Sequence, residues 1–215
     1  MQTWDTDFGL SKILPYNTLS ISLSYKQVIN IVDCDWPLII MGALSGYIVE
    51  QSIFEHALAV LSKDSSVEVE ELALMHYEPA PDLWRRDQIL AFMVKNINEK
   101  EWAFSFEKLL YVVVFIFSEN PHRFDCNDGT MDPSGALETV WADFDHVGTA
   151  TILETVGLPR YTESTANELD RIVSEKCAIY LEEQRRWIEE FDSENPEDIA
   201  ELQCVINAWN TSGKE

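Results

Sequence analysis

Apolar residues recur every three to four positions along most of the chain, the spacing that lines one face of an α-helix. The clearest stripe lies between about 164 and 191, where Leu169, Ile172, Val173, Cys177, Tyr180, Trp187 and Phe191 fall on one side. A last segment, about 196–210, places Ile199, Leu202, Ile206 and Trp209 together in the same way. Helix starts are marked as well. Ser24/Gln27, Ser52/Glu55, Ser65/Glu68 and Asn98/Glu101 have the spacing of a capping box, in which two side chains satisfy two terminal N–H groups reciprocally. Asp132-Pro133 and Asn195-Pro196-Glu197-Asp198 put proline at the first helical position, where its missing N–H costs nothing. Helices are predicted near 24–32, 36–45, 51–62, 66–77, 82–97, 99–117, 133–144, 149–156, 164–191 and 196–210.

Between these segments the chain is short and polar. An irregular arm reaches to about residue 18, and Leu19, Ile21 and Leu23 alternate with serines, the pattern of one short strand. The stretch 118–132, SENPHRFDCNDGTMD, gathers turn formers and reads as a loop, and Gly157-Leu158-Pro159 reads as a turn. Short connections between amphipathic helices favour antiparallel neighbours. The expected fold is all-α, a multi-helix bundle or irregular helical stack with at most one short N-terminal strand. Residues 1–215 are expected to form a single acidic helical domain, with the loop 118–132 as its candidate sub-boundary.

Composition sharpens this. The 215 residues are 46% hydrophobic and carry a formal charge of −23. Such a chain can bury a core without metal or disulfide staples. Phosphate recognition needs clustered Lys and Arg, so direct nucleic-acid binding is excluded, and an anionic membrane surface would repel the chain. The longest apolar run, Leu109 to Phe117, is nine residues, about half of a bilayer span, and is expected to be a buried segment. The opening Met1-Gln2-Thr3-Trp4-Asp5-Thr6-Asp7 lacks the basic and apolar regions of a signal peptide, which points to a cytoplasmic protein. Cys34, Cys126, Cys177 and Cys204 lie far apart and read as reduced thiols.

Charge is unevenly spread. Residues 119–215 hold 7 Lys/Arg against 22 Asp/Glu, whereas residues 1–118 hold 8 against 16. The densest acidic stretch comprises Glu182, Glu183, Glu189, Glu190, Asp192, Glu194, Glu197, Asp198 and Glu201, interrupted by Arg185 and Arg186. Each acid by itself fits a solvated helix face or a favourable helix N-terminus. The chain-wide excess instead fits a docking surface for a cationic protein, because complementary fields accelerate association. Trp187 lies among these acids on adjacent turns and is the candidate anchor, tryptophan being enriched at binding hot spots. Most of the remaining tryptophans, Trp36, Trp84, Trp102, Trp141 and Trp209, are expected in the core.

Candidate chemistry is sparse. In Asp125-Cys126-Asn127-Asp128-Gly129-Thr130-Met131-Asp132 the glycine is at position 5 and Ala136 occupies position 12, so the register of a calcium loop is not met. Asp143 and His146 share a helix face at i,i+3, and with Asp145 they form the one candidate acid/base or metal-ligating cluster. Against this, a histidine near a helix C-terminus before Gly148 is explained by the terminal carbonyls. His56, His76 and His122 show no metal spacing, Ser134 lacks a nucleophile elbow, and no phosphate-cradling glycine motif occurs. No cofactor is expected.

Several segments resemble a family of bacterial domains of unassigned biochemical activity encountered near polymorphic toxin loci. The similarity starts with Asp35-Trp36-Pro37-Leu38-Ile39-Ile40-Met41-Gly42, leading into Tyr47-Ile48 and the Ala57 region. It continues with Glu71-Leu72-Ala73, and with Trp102 and the aromatic-aliphatic stretch through Leu110-Tyr111. Its most specific piece is Val140-Trp141-Ala142-Asp143-Phe144, and together these cover roughly residues 33–160. The chain departs from the pattern at Asp145-His146-Val147 and at Val156-Gly157-Leu158-Pro159. The resemblance implies an immunity protein, not an enzyme, that neutralises a cognate bacterial toxin. A toxin acting on nucleic acid, such as a nuclease, must be basic and so complements this charge. Glu182, Glu183, Trp187, Glu189, Glu190, Asp192, Glu194 and Asp198 are the expected partner-binding residues. The alternatives are a metal-dependent hydrolase using Asp143, Asp145 and His146, and a structural helical adaptor.

Overall fold

Helix starts in this chain are set by side chains that take over the first free N–H groups. In the computed structural model, Asp35 accepts from the Leu38 N–H at 2.9 Å and starts α2 (Trp36–Leu44), which follows the short α1 (Tyr25–Ile29). Asn98 and Glu101 exchange hydrogen bonds of 2.9 and 3.0 Å before α6 (Glu99–Glu119), a reciprocal capping box as predicted. Asp132 accepts from the Gly135 N–H at 2.9 Å before α7 (Pro133–Asp143), and Asn195 from the Glu197 N–H at 3.0 Å before α9 (Pro196–Ser212). The intervening helices are α3 (Gln51–Val60), α4 (Val67–Met75), α5 (Leu83–Asn96) and α8 (Ala166–Glu190). The structure describes residues 2–3, 13–121, 132–144 and 165–212, with side chains for 14–121, 132–144 and 165–207. The helix predicted over 149–156 and the turn at Gly157-Leu158-Pro159 lie outside these residues.

Two predicted caps move. Ser52 lies buried inside α3, whose N-cap is Glu50, because Val49 and Glu50 already accept from the Ser52 and Ile53 N–H groups. Ser66, not Ser65, caps α4: Asp64 accepts from the Ser66 N–H at 2.9 Å and so fixes Ser66 as the last residue outside the helix. The extended pieces are small. Gln2–Thr3 pairs antiparallel with Ile13–Leu14. The strand expected over Leu19–Leu23 is reduced to one parallel bridge, Leu23 to Ile48, held by two hydrogen bonds of 2.9 Å. The all-α expectation stands.

The chain divides into two compact units. The first comprises Met1–Pro15 and Ser20–Phe106, the second Tyr16–Leu19 and Glu107–Glu215, so the division falls inside α6. In the first unit, Ile39, Ile40 and Met41 of α2 are buried, as are Ile53, Phe54 and Ala57 of α3 and Val69 and Leu72 of α4. One close approach shapes this core. A Cβ at Gly42 would lie 2.3 Å from the Ile48 Cδ1, and the Ile48 N–H donates to the Gly42 carbonyl at 2.9 Å. Gly46, with φ of +80°, then turns the chain out of α2. In the second unit the Leu109–Phe117 run is helical, with Leu109 to Val114 all buried. Ala136, Leu137 and Val140 of α7 and Leu169, Val173, Cys177 and Tyr180 of α8 complete its core. Among the described residues no helix is long and apolar enough to cross a membrane.

Candidate functional site

The predicted partner-binding residues sit on the last turns of α8 and in the turn to α9. The buried line of α8 runs Leu169, Val173, Cys177, Tyr180 and Gln184, which leaves the opposite faces to solvent. Glu182, Glu183, Glu189 and Glu190 are exposed there, as are Arg185 and Arg186, and Arg186 lies 3.6 Å from Glu182 one turn back. Trp187 is half-buried, with its ring edge-on to Phe191 at 5.5 Å between centroids. Asp192, Glu194 and Asp198 lie in and beside the turn, where two of them have local work. The Asp192 N–H donates to Asp198 at 3.0 Å and the Glu194 N–H to Asp192 at 2.9 Å, which closes the turn. The structure therefore separates four acids on a helix face from acids that also hold a turn together.

Asp143 has a different environment. It is buried at the end of α7, and both of its oxygens are engaged by one residue: Thr18 donates its N–H at 2.8 Å and its hydroxyl at 2.6 Å. The Tyr16 N–H donates to the Asp143 carbonyl at 3.0 Å. The carboxylate thus ties residues 16–19 to α7 across 125 positions of sequence, a fastening role. Asp145 and His146 lie outside the described residues, as do His122 and the Asp125–Met131 segment. Ser134 donates to Asp132, and His56 is buried against the Tyr25 hydroxyl at 3.2 Å and the Trp36 ring at 4.6 Å. Among the described residues no three His, Cys, Asp or Glu side chains are placed to share a metal ion.

The second unit also holds a polar island. Glu107 of α6 is buried with neither carboxyl oxygen hydrogen-bonded, and the buried Tyr180 hydroxyl of α8 has no hydrogen-bond partner either. Burial first, and the Glu201 charge second, push the Glu107 carboxyl up to about 8, so at neutral pH it keeps its proton. Burial likewise raises Tyr180, with Glu107 adding to the shift. Cys177, one turn before Tyr180, is pushed up to about 12, which leaves an inert thiol. Cys34 is half-buried and Cys204 exposed.

Sequence reasoning missed Glu107, because one acid inside an aromatic-aliphatic helix carries no local mark of burial. It also did not single out Trp84, one of the tryptophans of which most are expected in the core, and which is 69% exposed at the start of α5. Trp84 stands on the side of Gln88 and Phe92, away from the buried line of α5 formed by Arg86, Ile89, Leu90 and Val94, and an apolar Phe92 at i+8 gave no local mark of exposure. Arg86 is buried because Glu50 at 2.6 Å and Asp87 at 2.7 Å neutralise it.

No curated protein and no solved structure matches the chain. A family model described as an uncharacterized protein conserved in bacteria matches residues 25–192, a span that takes in the Asp35–Gly42 segment, the Val140–Phe144 segment and all of α8. By that match the chain belongs to the bacterial family DUF2247.

Proposed function

We propose that the chain is a binding protein of the bacterial cytoplasm that captures and neutralises a basic protein toxin, acting as an immunity protein and not as an enzyme. The observation that carries this reading is the exposed carboxylate face of α8, where Glu182, Glu183, Glu189 and Glu190 all meet solvent. It belongs to a chain of net charge −23. Exposed like charges at this density repel one another and cost stability, so a complementary partner is what they suit. A cationic toxin would be steered in by the long-range field and would meet Trp187 and Phe191 inside a rim of acids. That is the usual arrangement of an apolar anchor within a polar border. A toxin acting on nucleic acid presents a phosphate-binding surface, and a carboxylate face can occupy it.

The test is co-expression with basic toxin domains encoded beside genes for this family, followed by association kinetics at several salt concentrations. Reversing Glu182, Glu183, Glu189 and Glu190 to lysine is expected to slow association at least about tenfold and to flatten its salt dependence. These four avoid Asp192 and Asp198, whose side chains close the turn. Tight binding that ignores both salt and the fourfold reversal would overturn the electrostatic reading.

A further inference from the structure

A different face, in the first unit, carries a second and independent signal. Its α4 and α5 run antiparallel: Val67 lies across a cleft from Phe92, and Glu71 grips Arg85 through two hydrogen bonds of 2.8 Å. Along this pair, large apolar side chains point outward. Leu74 is 66% exposed, Tyr77 74%, Trp84 69% and Phe92 54%, and Val67 at the start of α4 is exposed as well. Isolated exposed apolar residues are ordinary, but Val67 and Leu74 on α4, Trp84 and Phe92 on α5 and Tyr77 in the turn between these packed helices are a patch. Helical register aligns them: Val67 and Leu74 are seven apart on α4, and Trp84 and Phe92 are eight apart on α5.

The cleft between the helices has a volume of about 210 Å³, with Val67, Ile89 and Phe92 as apolar walls and the Glu71–Arg85 pair alongside. Small-molecule sites run from roughly 300 to 1,000 Å³, so this one suits one or two inserted side chains, not a whole ligand. The border is acidic. Residues 67–92 carry six carboxylates and two arginines. Both arginines are already committed, Arg85 to Glu71 and Arg86 to Glu50 and Asp87. Glu68, Glu70 and Glu78, with Asp82 that also caps α5 by accepting from the Arg85 N–H, set the potential around the apolar groups. A second copy of this chain would bring the same negative border against its own, which argues against self-pairing.

The geometry points to the α4–α5 face as a docking groove for an amphipathic, basic helical segment of a partner protein. Apolar side chains spaced i, i+3, i+4 and i+7 would enter between Val67 and Phe92 and run on toward Leu74 and Trp84, and lysines or arginines beside them would meet Glu68, Glu70, Glu78 and Asp82. This goes beyond the toxin reading: it concerns another face, and its test needs no toxin.

The probe is a fluorescein-labelled 18-residue leucine/lysine peptide of that spacing, titrated against the full chain by fluorescence anisotropy. Two controls are a scrambled leucine/lysine peptide without an apolar face and a leucine/glutamate peptide with one. The amphipathic basic peptide is expected to bind at least tenfold more tightly than either control. Leu74→Ser with Phe92→Ser, both at exposed positions, is expected to remove at least tenfold of that affinity, while the far-UV circular dichroism stays unchanged. Glu189→Lys with Glu190→Lys is expected to change it less than threefold. Equal binding of the scrambled peptide, or binding indifferent to the serine pair, would overturn the proposal. So would a chain dimer in sedimentation equilibrium that the serine pair abolishes, since the face would then belong to a second copy.

Discussion

The outer face of α4 and α5 and the interior beside Glu107 break the same rule in opposite directions. On the first, Leu74, Trp84 and Phe92, with Tyr77 in the turn between the helices, stand in water where polar side chains are expected. In the second, Glu107 and Tyr180 sit in a core with their polar atoms unsatisfied. Each mismatch costs free energy in the isolated chain, but the two are relieved differently. Exposed apolar surface is relieved by covering it, so it points outward to a partner. A buried carboxyl with no hydrogen bond is relieved by keeping its proton, so it points to pH. A residue in the wrong environment is thus informative only once the means of relief is identified.

The largest expected effect breaks the comparison at Glu107. Its carboxyl ordinarily ionises near 4.5 and in the folded chain near 8. The folded state therefore holds a proton that the unfolded state gives up across that interval. Stability is full below about pH 4.5 and falls as pH rises toward 8, by a few kcal/mol for this group. Glu107→Gln keeps the shape and cannot ionise. Urea unfolding should show the variant level with the parent near pH 4.5 and clearly more stable at pH 8. A parent at least as stable as the variant at pH 8 would show that the carboxylate is accommodated after all.

Next come two positions where close geometry, not hydrophobic pattern, chooses the residue, one in each unit. Gly42→Ala removes a helix-weakening glycine but drives a Cβ into Ile48, and a net loss of about 1–2 kcal/mol is expected. Asp143→Ala leaves the Thr18 N–H and hydroxyl without their acceptor, at a cost of roughly 1–3 kcal/mol, and Asp143→Asn should recover part of it. Amide hydrogen exchange sharpens the contrast. The first change should release α2 and α3, and the second should release α7 and residues 16–19. The smallest stability effect is expected on the exposed face, where Leu74→Ser and Phe92→Ser should each stay within about 0.5 kcal/mol of the parent in the same unfolding assay.

Much of the fold was legible in the sequence, and the readable part was local. The stripe from Leu169 to Phe191 predicted a helix over 164–191, and α8 runs Ala166–Glu190. Asn98/Glu101 capped α6 as their spacing required, since both partners lie within one turn. The failures were also local contests. Ser65 lost to Ser66 because Asp64 was within reach, and Ser52 was already inside a helix begun at Glu50. Of the predicted partner-binding residues, the four glutamates of α8 could be read as solvent-facing from their place opposite the apolar stripe. The turn-closing roles of Asp192 and Asp198 could not, because they depend on how α8 meets α9.

By itself, then, the sequence determined the helices among the described residues, most of their limits and the excess of negative charge, since hydrogen bonds and side-chain periodicity within four residues decide the first two and counting decides the third. Only the tertiary structure decided that Asp143 fastens a segment 125 residues away, that Glu107 is sealed from water and that Trp84 is not. Those outcomes depend on which helix faces another, and one carboxylate or one indole looks the same along the chain whether its neighbour in space is water, a threonine or a tyrosine.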